Sequence, residues 1–110
     1  MPTKEAVTTD KAHGLPLFSQ AIKCDGFIYC SGQVGFDPAT KELREGDVGD
    51  RTAQSLRNLS AVLEAAGSKL NNAVKVQVFL TTMDNFAAMN RVYETFFSHP
   101  LPVSASLPVS

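Results

Sequence analysis

A serine between a β-favouring segment and two glycines is the first place in this chain where chemistry could occur. Residues 27–30, Phe-Ile-Tyr-Cys, favour a strand in the core, and they run directly into Ser31-Gly32-Gln33, followed by Gly35. Glycine at such positions permits backbone geometry, or the close approach of a ligand, that a side chain would block. The serine hydroxyl could therefore meet a ligand there. The simpler interpretation of this stretch alone is a strand that ends in a bulge.

A nucleophilic role for Ser31 would require a base that the fold brings to it, because no histidine lies near it in the sequence. His13 and His99 are the two histidines of the chain, and both are isolated. No cluster of histidine and cysteine has the spacing of metal ligands, and no glycine-rich phosphate-binding loop precedes a helix. The sequence therefore predicts neither a metal nor a nucleotide cofactor.

Asn90 is the second candidate, because an asparagine inside a predicted helix competes with its own backbone for hydrogen bonds. It lies between Met89 and Arg91, at the edge of an apolar stripe. It could be a solvated residue at that edge, or a polar group that reaches into a pocket at the sheet. The residues leave both interpretations open.

The composition is that of one ordinary globular domain over residues 1–110. Of the 110 residues, 44% are hydrophobic and 19% are charged, and the formal net charge is −1. This charge argues against duplex nucleic acid or an anionic membrane as a partner. No apolar run is long enough to span a membrane and no signal peptide is recognisable, so a cytoplasmic location is expected, with the mitochondrion as the alternative. A chain of this length buries a modest core, which oligomerisation would extend.

The first half of the chain predicts a short strand and a hairpin. Residues 5–9 have the composition of the first strand. Residues 17–24 are expected to pair with residues 27–32 around Asp25-Gly26, a dipeptide that favours the positive φ angles of a two-residue turn.

Two helices are predicted on either side of a further strand, residues 74–81, in which apolar and polar side chains alternate. The first helix begins at Asp47, whose carboxylate can cap it, and ends at Gly67, with Gln54 on its surface. Asp84 is predicted to cap the second. The order strand, helix, strand suggests a right-handed crossover with the helix on one face of a sheet. The predicted buried positions are Leu56, Leu59, Leu63 and Ala66 in the first helix, and Phe86, Met89, Tyr93, Phe96 and Phe97 in the second.

The last segment, residues 98–110, contains no Lys, Arg, Asp or Glu, and it contains three prolines. Proline has no backbone N–H to donate to a neighbouring strand. This segment is therefore predicted to be an extended, poorly paired tail.

The ordered set of motifs resembles the Rid family, of the YjgF/RidA type, which is also called the L-PSP endoribonuclease family. The resemblance covers residues 15–100, and residues 98–110 diverge from it. The matching segments are residues 27–35 with the following Asp-Pro, residues 55–67, residues 74–80, residues 83–86, residues 89–93 and residues 96–97.

The resemblance implies an α+β fold of the chorismate-mutase-like (YjgF) type, with a single sheet backed by two helices. It also implies a homotrimer whose sheets form a central barrel, with ligand sites in the clefts between subunits. Members of the RidA type hydrolyse reactive enamine and imine intermediates, such as 2-aminoacrylate, to 2-oxo acids and ammonia, without a metal or organic cofactor. The implied ligand is a small 2-imino or 2-oxo acid at the subunit interface.

The resemblance also implies which residues of this chain form the pocket. It assigns catalytic roles to Ser31 and Asn90. It assigns substrate binding to these two residues together with Phe18, Gly32 and Phe86. Phe18 stands where the family has a tyrosine, so a hydroxyl group of the family's pocket is missing here.

The C-terminal segment departs from the family pattern. Family members have an arginine that holds the substrate carboxylate and a later glutamate that helps to position water, whereas here no arginine follows Arg91 and no acidic residue follows Glu94. A non-catalytic trimer that binds a small molecule is therefore an alternative to the deaminase. RNA cleavage or translation inhibition, which the family's other name implies, is the weakest alternative, because the chain lacks a basic, aromatic-rich patch.

Overall fold

The computed structural model describes residues 3–108 of the chain. The elements are β1 (Lys4–Val7), β2 (Ala21–Cys24), β3 (Phe27–Cys30), α1 (Val48–Ala65), β4 (Lys75–Leu80), α2 (Phe86–Tyr93) and β5 (Val103–Pro108), with 3-10 turns at Leu70–Asn72, Met83–Asn85 and Glu94–Phe96. Hydrogen bonds among the described residues order one sheet as β1-β2-β3 and pair β4 with β5 in another. This is the predicted α+β class with two helices, and its strands are divided between two hydrogen-bonded ladders.

β2 and β3 form the hairpin that was predicted around Asp25-Gly26. Asp25 has φ of 54° and Gly26 has φ of 81°, the mirror-image turn geometry whose twist matches that of paired strands. The antiparallel register places Ile22 opposite Tyr29, and β1 pairs with the other edge of β2. β2 begins later than predicted because the chain turns just before it, where the Phe18 N–H donates to the Leu15 carbonyl.

β3 is a strand, as predicted, but it does not lie in the core of the single chain. Phe27 and Tyr29 are 59% and 62% exposed. Side chains alternate across a strand, so these two share one face while Ile28 takes the other. Ile28 packs against the core cluster that contains Val62 of α1. The aromatic face of β3 is therefore turned away from the helices.

α1 begins after Asp47 and is closed by Gly67, as predicted. The Asp50 backbone N–H donates to the Asp47 carboxylate at 3.0 Å, and the Asp47 backbone N–H donates to the Asp50 carboxylate at 3.1 Å. These two bonds form a reciprocal capping box. Gly67 has φ of 89°, which suits the left-handed position just past a helix end.

The buried face of α1 is broader than the apolar spacing predicted. Its buried and half-buried apolar residues include Leu56, Leu59, Val62 and Leu63, followed by Ala66 at the C-cap. Gln54, predicted on the surface, is only 6% exposed, so that prediction is wrong. Its side-chain amide donates to Asn58 Oδ1 at 2.9 Å, and the Arg44 guanidinium donates to Gln54 Oε1 at 3.1 Å. Burial of this polar side chain is tolerated because its hydrogen bonds are made.

Removal of the Asp47 cap is expected to destabilise the fold in a pH-dependent way. The hydrogen bond from the Asp50 backbone lowers the pKa of the Asp47 carboxyl below its ordinary value. Since the pKa is lower in the folded state, the charged cap stabilises the fold above the unfolded-state pKa. This contribution is lost as the pH falls through the folded-state pKa. Asp47→Ala should therefore unfold at a lower urea concentration than the wild type at neutral pH, and the difference should shrink in strong acid.

Asp47→Asn is the matched control, because an asparagine amide oxygen accepts the same hydrogen bond without titrating. It should retain most of the neutral-pH stability and lose the pH dependence that Asp47 contributes. A difference between wild type and Asp47→Ala that stays constant from neutral pH to strong acid would contradict the role of the charged cap.

β4 and α2 supply a second part of the core. The predicted alternation of β4 is confirmed, since Val76 packs against the apolar cluster of α1 and Phe79 on the other face is 57% exposed. In the predicted stripe of the second helix, Met89 is 2% exposed and Phe97, in the segment after α2, is 8% exposed. Phe86 is 40% exposed, so this member of the predicted stripe lies outside the core.

The cap predicted for the second helix is wrong. The Asp84 backbone N–H donates to the hydroxyl of Thr82 at 3.2 Å, and the 3-10 turn Met83–Asn85 precedes α2. Asn85, at the boundary of α2, makes no side-chain cap within the described residues. Thr82 therefore caps this 3-10 turn, and Asp84 lies inside the turn and does not cap α2.

β5 shows that the prediction of a poorly paired tail is wrong. The strand runs parallel to β4, with Val103 opposite Lys75 and Pro108 opposite Leu80. α2 lies in the connection, as a parallel pair requires. Two of the prolines precede β5 and the third ends it, so the missing N–H groups fall largely outside the paired segment. Residues 109 and 110 of the predicted tail lie outside the described residues.

Candidate active site

Ser31 is fixed at the end of β3 by two hydrogen bonds to the chain that leads into β2. Its hydroxyl donates to the Ser19 carbonyl at 2.6 Å, and its backbone N–H donates to the Gln20 carbonyl at 3.0 Å. The side chain is half-buried. Because the hydroxyl proton is used by Ser19, the oxygen lone pairs remain to accept a hydrogen bond from a ligand.

This arrangement does not activate Ser31 as a nucleophile. The partner of its hydroxyl is a backbone carbonyl, which cannot take up the proton as a general base would. His13, one of the two bases considered from the sequence, stacks instead on Phe36, with ring centroids 4.7 Å apart. The hydroxyl is therefore suited to orient a ligand or a water molecule.

Phe18 and Gly32 are sequence neighbours of the two residues that this hydrogen bond joins, Ser19 and Ser31. Phe18 directly precedes Ser19, whose carbonyl binds Ser31, and its ring is 62% exposed. A Cβ atom placed on Gly32 would meet no other atom within 4 Å, so the backbone there is open to a ligand. The hydrogen bonds of Ser31 therefore place it, with its neighbour Gly32, next to Ser19, the residue that follows Phe18.

The remaining predicted site residues, Phe86 and Asn90, lie on α2. They are four positions apart, so they share one side of the helix. Phe86 is partly exposed and Asn90 is half-buried, next to the buried Met89. α2 packs mainly against α1 and against the 3-10 turns on either side of α2. Ser31, in contrast, is hydrogen-bonded to the residues just before β2. The structure thus describes two groups of site residues without a hydrogen bond between them.

Two depressions of the described surface lie away from both groups. One shallow depression lies between β1 and the hairpin turn and is lined by Glu5, Lys23 and Phe27. Another lies in the loop before α1, where Asp37 and Arg44 line it. The predicted site residues line neither of them.

The loop that follows Ser31 is held by Asn58, a residue that the sequence analysis did not single out. Asn58 is 1% exposed, and its amide Nδ2 donates to the Phe36 carbonyl at 2.9 Å and to the Val34 carbonyl at 3.4 Å. A sequence signal did exist, because Asn58 and Gln54 are four positions apart and share one face of the predicted helix. An apolar pattern alone assigns such polar residues to the surface.

Cys30 lies directly before Ser31 and is a free thiol. Desolvation by its neighbours raises the pKa of the thiol above its ordinary value. The thiol form therefore dominates at neutral pH, which disfavours a nucleophilic role for Cys30.

The small α+β architecture with two helices is the one that solved structures of YjgF/RidA proteins have. RidA from the Antarctic bacterium Psychrobacter sp. PAMC 21119 superposes with a TM-score of 0.90 at 42% identity, over 96% of this chain and 85% of that one. A sequence model of the family described as Endoribonuclease L-PSP matches residues 9–110. The chain therefore belongs to this family, the Rid family, as the motifs predicted.

Curated relatives of this chain include proteins named for imine deamination. The 2-iminobutanoate/2-iminopropanoate deaminase of Mus musculus is 40% identical over 108 residues, which cover 97% of this chain and 80% of the mouse protein. The mitochondrial protein mmf1 of Schizosaccharomyces pombe is 45% identical over 109 residues, which cover 99% of this chain and 66% of that protein.

Within the described part of the chain, no group of three or more His, Cys, Asp or Glu side chains is arranged to hold a metal ion. No helix among these residues is long and apolar enough to cross a membrane.

Proposed function

We propose that this protein hydrolyses small 2-imino and 2-enamino acids to 2-oxo acids and ammonia, with Ser31 and Asn90 as the catalytic residues. The observation that carries the proposal is the Ser31 hydroxyl, which donates its proton to the Ser19 carbonyl and keeps its lone pairs for a ligand. The name of the mouse relative supports this class of substrate.

A hydrogen-bond acceptor beside open backbone suits imine hydrolysis. Water adds to the imine carbon, the resulting carbinolamine collapses, and ammonia leaves with the 2-oxo acid as the other product. Both the attacking water and a protonated imine nitrogen can donate a hydrogen bond to the Ser31 oxygen. The amide of Asn90 can donate and accept, so it can bind the carboxylate or the water. The rings of Phe18 and Phe86 provide apolar contact for a short alkyl side chain.

The two groups of site residues meet between copies of the chain in a homotrimer, where Phe18, Gly32 and Phe86 bind the substrate. Exposed aromatic side chains on two strands support this assembly, because Phe27 and Tyr29 are exposed on β3 and Phe79 is exposed on β4. Large apolar side chains exposed on a single chain are typical of an interface. Sedimentation equilibrium measures the assembly directly, and a monomer at micromolar concentration would contradict it.

The deaminase activity can be tested with 2-aminoacrylate generated in situ, by the rate at which ammonia and pyruvate appear. The wild type is expected to exceed the buffer rate. Ser31→Ala should lower kcat/KM by roughly 10- to 100-fold, the equivalent of one hydrogen bond to a charged group. A wild-type rate equal to that of buffer would overturn the proposed activity.

Ser55→Ala is the matched control for Ser31→Ala. The Ser55 hydroxyl also donates to a backbone carbonyl, that of Arg51, at 2.9 Å, and the side chain is also half-buried. The control therefore removes the same kind of hydrogen bond from α1, away from the end of β3. Equal losses of kcat/KM in the two variants would show that the effect of Ser31→Ala does not come from the site.

A second candidate function is the binding of a 2-oxo acid without catalysis. It is favoured by one observation: residues 92–110 contain no arginine that could hold a substrate carboxylate. Titration with pyruvate distinguishes the two functions. Saturable binding that is lost in Ser31→Ala, together with a deamination rate equal to that of buffer, would favour the binding protein.

A further inference from the structure

We propose that Asn58 of α1 is a positioning residue that fixes the Ser31-Gly32-Gln33 segment for its ligand. The inference rests on the proposed function of that segment. Asn58 is one of the largest fully buried side chains of the protein, at 1% exposure. A fully buried amide in the middle of a helix needs a reason, because an apolar side chain would avoid the cost of its desolvation.

The reason lies in the partners of the amide. Both hydrogens of Asn58 Nδ2 are directed at the loop, to the carbonyls of Val34 and Phe36. The amide oxygen accepts from Gln54 Nε2 at 2.9 Å. Gln54 Oε1 in turn accepts from Arg44, at the far end of the same loop. Two buried amides of α1 thus hold both ends of the loop between β3 and α1.

The two carbonyls that Asn58 binds lie only a few residues after Ser31 in the sequence. Val34 follows Gln33 directly, so its carbonyl is roughly 10 Å or less from Ser31 along an extended chain. Ser31 itself is held by the carbonyls of Ser19 and Gln20. The Ser31-Gly32-Gln33 segment is therefore fixed at its start by the chain before β2 and at its end by Asn58.

A third buried amide, that of Gln20, holds the chain before β2. The Gln20 side chain is 8% exposed, accepts from the Thr9 N–H, and donates to the carbonyls of Thr9, Ala12 and His13. His13 stacks on Phe36, whose carbonyl binds Asn58. These contacts join the segment before β2 to the loop that Asn58 holds.

The geometry of a ligand site is sensitive to small displacements, since a misplacement of about 1 Å can lower a rate about 100-fold. Asn58→Leu keeps a side chain of similar size and removes both donations to the loop. We expect kcat/KM to fall by roughly 10- to 100-fold per folded molecule, and amide hydrogen exchange to accelerate at residues 32–36. If Asn58→Leu does not fold, Asn58→Ser takes its place, because its short hydroxyl cannot bond both carbonyls at once.

Leu56→Ala is the control, measured at a temperature at which every variant is folded. Leu56 lies on the same helix at 5% exposure, and it packs in the cluster with Leu70 and Phe97 rather than on the loop. Its loss should reduce stability and leave kcat/KM and the exchange at residues 32–36 near the wild-type values. Equal losses of activity in both variants, or wild-type activity and exchange in Asn58→Leu, would overturn the proposal.

The exchange measurement keeps this inference separate from the proposed activity. If the wild type releases no ammonia above the buffer rate, the deaminase proposal fails. The exchange at residues 32–36 and the affinity for pyruvate then decide the role of Asn58. Faster exchange confined to these residues together with weaker pyruvate binding supports the positioning role, and any other result overturns it.

Discussion

Met89→Ala is expected to destabilise the protein by about 2–5 kcal/mol, the range for truncation of a fully buried large side chain. Met89 is 2% exposed and lies in α2, which packs against α1. Its removal leaves a cavity between elements that cannot fully close around it. Small domains are stable by only about 5–15 kcal/mol, so this one change should remove a large part of the total. Urea unfolding followed by circular dichroism measures it as a shift of the midpoint.

Met83→Ala is the matched control for Met89→Ala. The same atoms are removed from a side chain that is 42% exposed, in the turn just before α2. The surrounding water already fills the space that the side chain leaves, so the expected loss is about 0.5–1 kcal/mol. Equal midpoint shifts for the two variants would contradict the assignment of Met89 to the core.

Gly35→Ala is expected to cost about 1–3 kcal/mol, because the new methyl group has no room. A Cβ atom on Gly35 would lie 2.9 Å from the Arg51 carbonyl oxygen and 3.0 Å from the Arg51 Cα. Those are backbone atoms of α1, so either the helix or the loop must shift. The Gly35 carbonyl also accepts from the Arg44 N–H at 2.7 Å, which fixes the glycine in place. Urea unfolding should show the loss.

Gly32→Ala provides the comparison within the same loop. Its new methyl group would meet nothing within 4 Å, so its stability should stay within about 0.5 kcal/mol of the wild type. Both substitutions reduce the freedom of the unfolded chain by the same amount, so that effect cancels between them. If Gly35→Ala is as stable as Gly32→Ala, the close contact between the loop and α1 is not part of the folded protein.

The elements with strong local signals could be predicted from the sequence. The Asp25-Gly26 dipeptide defines the hairpin because few other residues accept two successive positive φ angles. Asp47 and Gly67 mark the two ends of α1 for similarly local reasons. The alternation of β4 is equally local. In each of these cases the residues that determine the structure lie within the element or beside it.

The errors arise where a distant partner decides the structure. The sequence around β5 contains prolines and has no strong strand pattern. Its hydrogen bonds are made with β4, which precedes α2 in the sequence. Gln54 has the character of a surface residue until the loop residue Arg44 and the amide of Asn58 provide its partners. β3 has the composition of a core strand, yet Phe27 and Tyr29 are exposed in the single chain.

In the candidate site, the position of Ser31 could be predicted from the sequence, whereas the surroundings of Asn90 and the contacts of Asn58 could not. The hairpin register brings Ser31 beside Ser19, as the position of the Asp-Gly turn implies. Whether Asn90 lies near Ser31 depends on the surface that α2 faces, and no sequence pattern within α2 encodes that surface. The Asn58 contacts were missed because they connect a helix to a loop more than twenty positions away.

The two ladders differ in the order in which a growing chain can complete them. β2 and β3 are separated by two residues, Asp25 and Gly26, so this pair can close as soon as it leaves the ribosome. β4 must wait until α2 and the following turn have been synthesised before β5 can pair with it. During that interval the N–H and C=O groups of β4 are exposed to other nascent chains. Slow translation between α2 and β5 should therefore increase aggregation and dependence on chaperones, while the same delay before β4 should not.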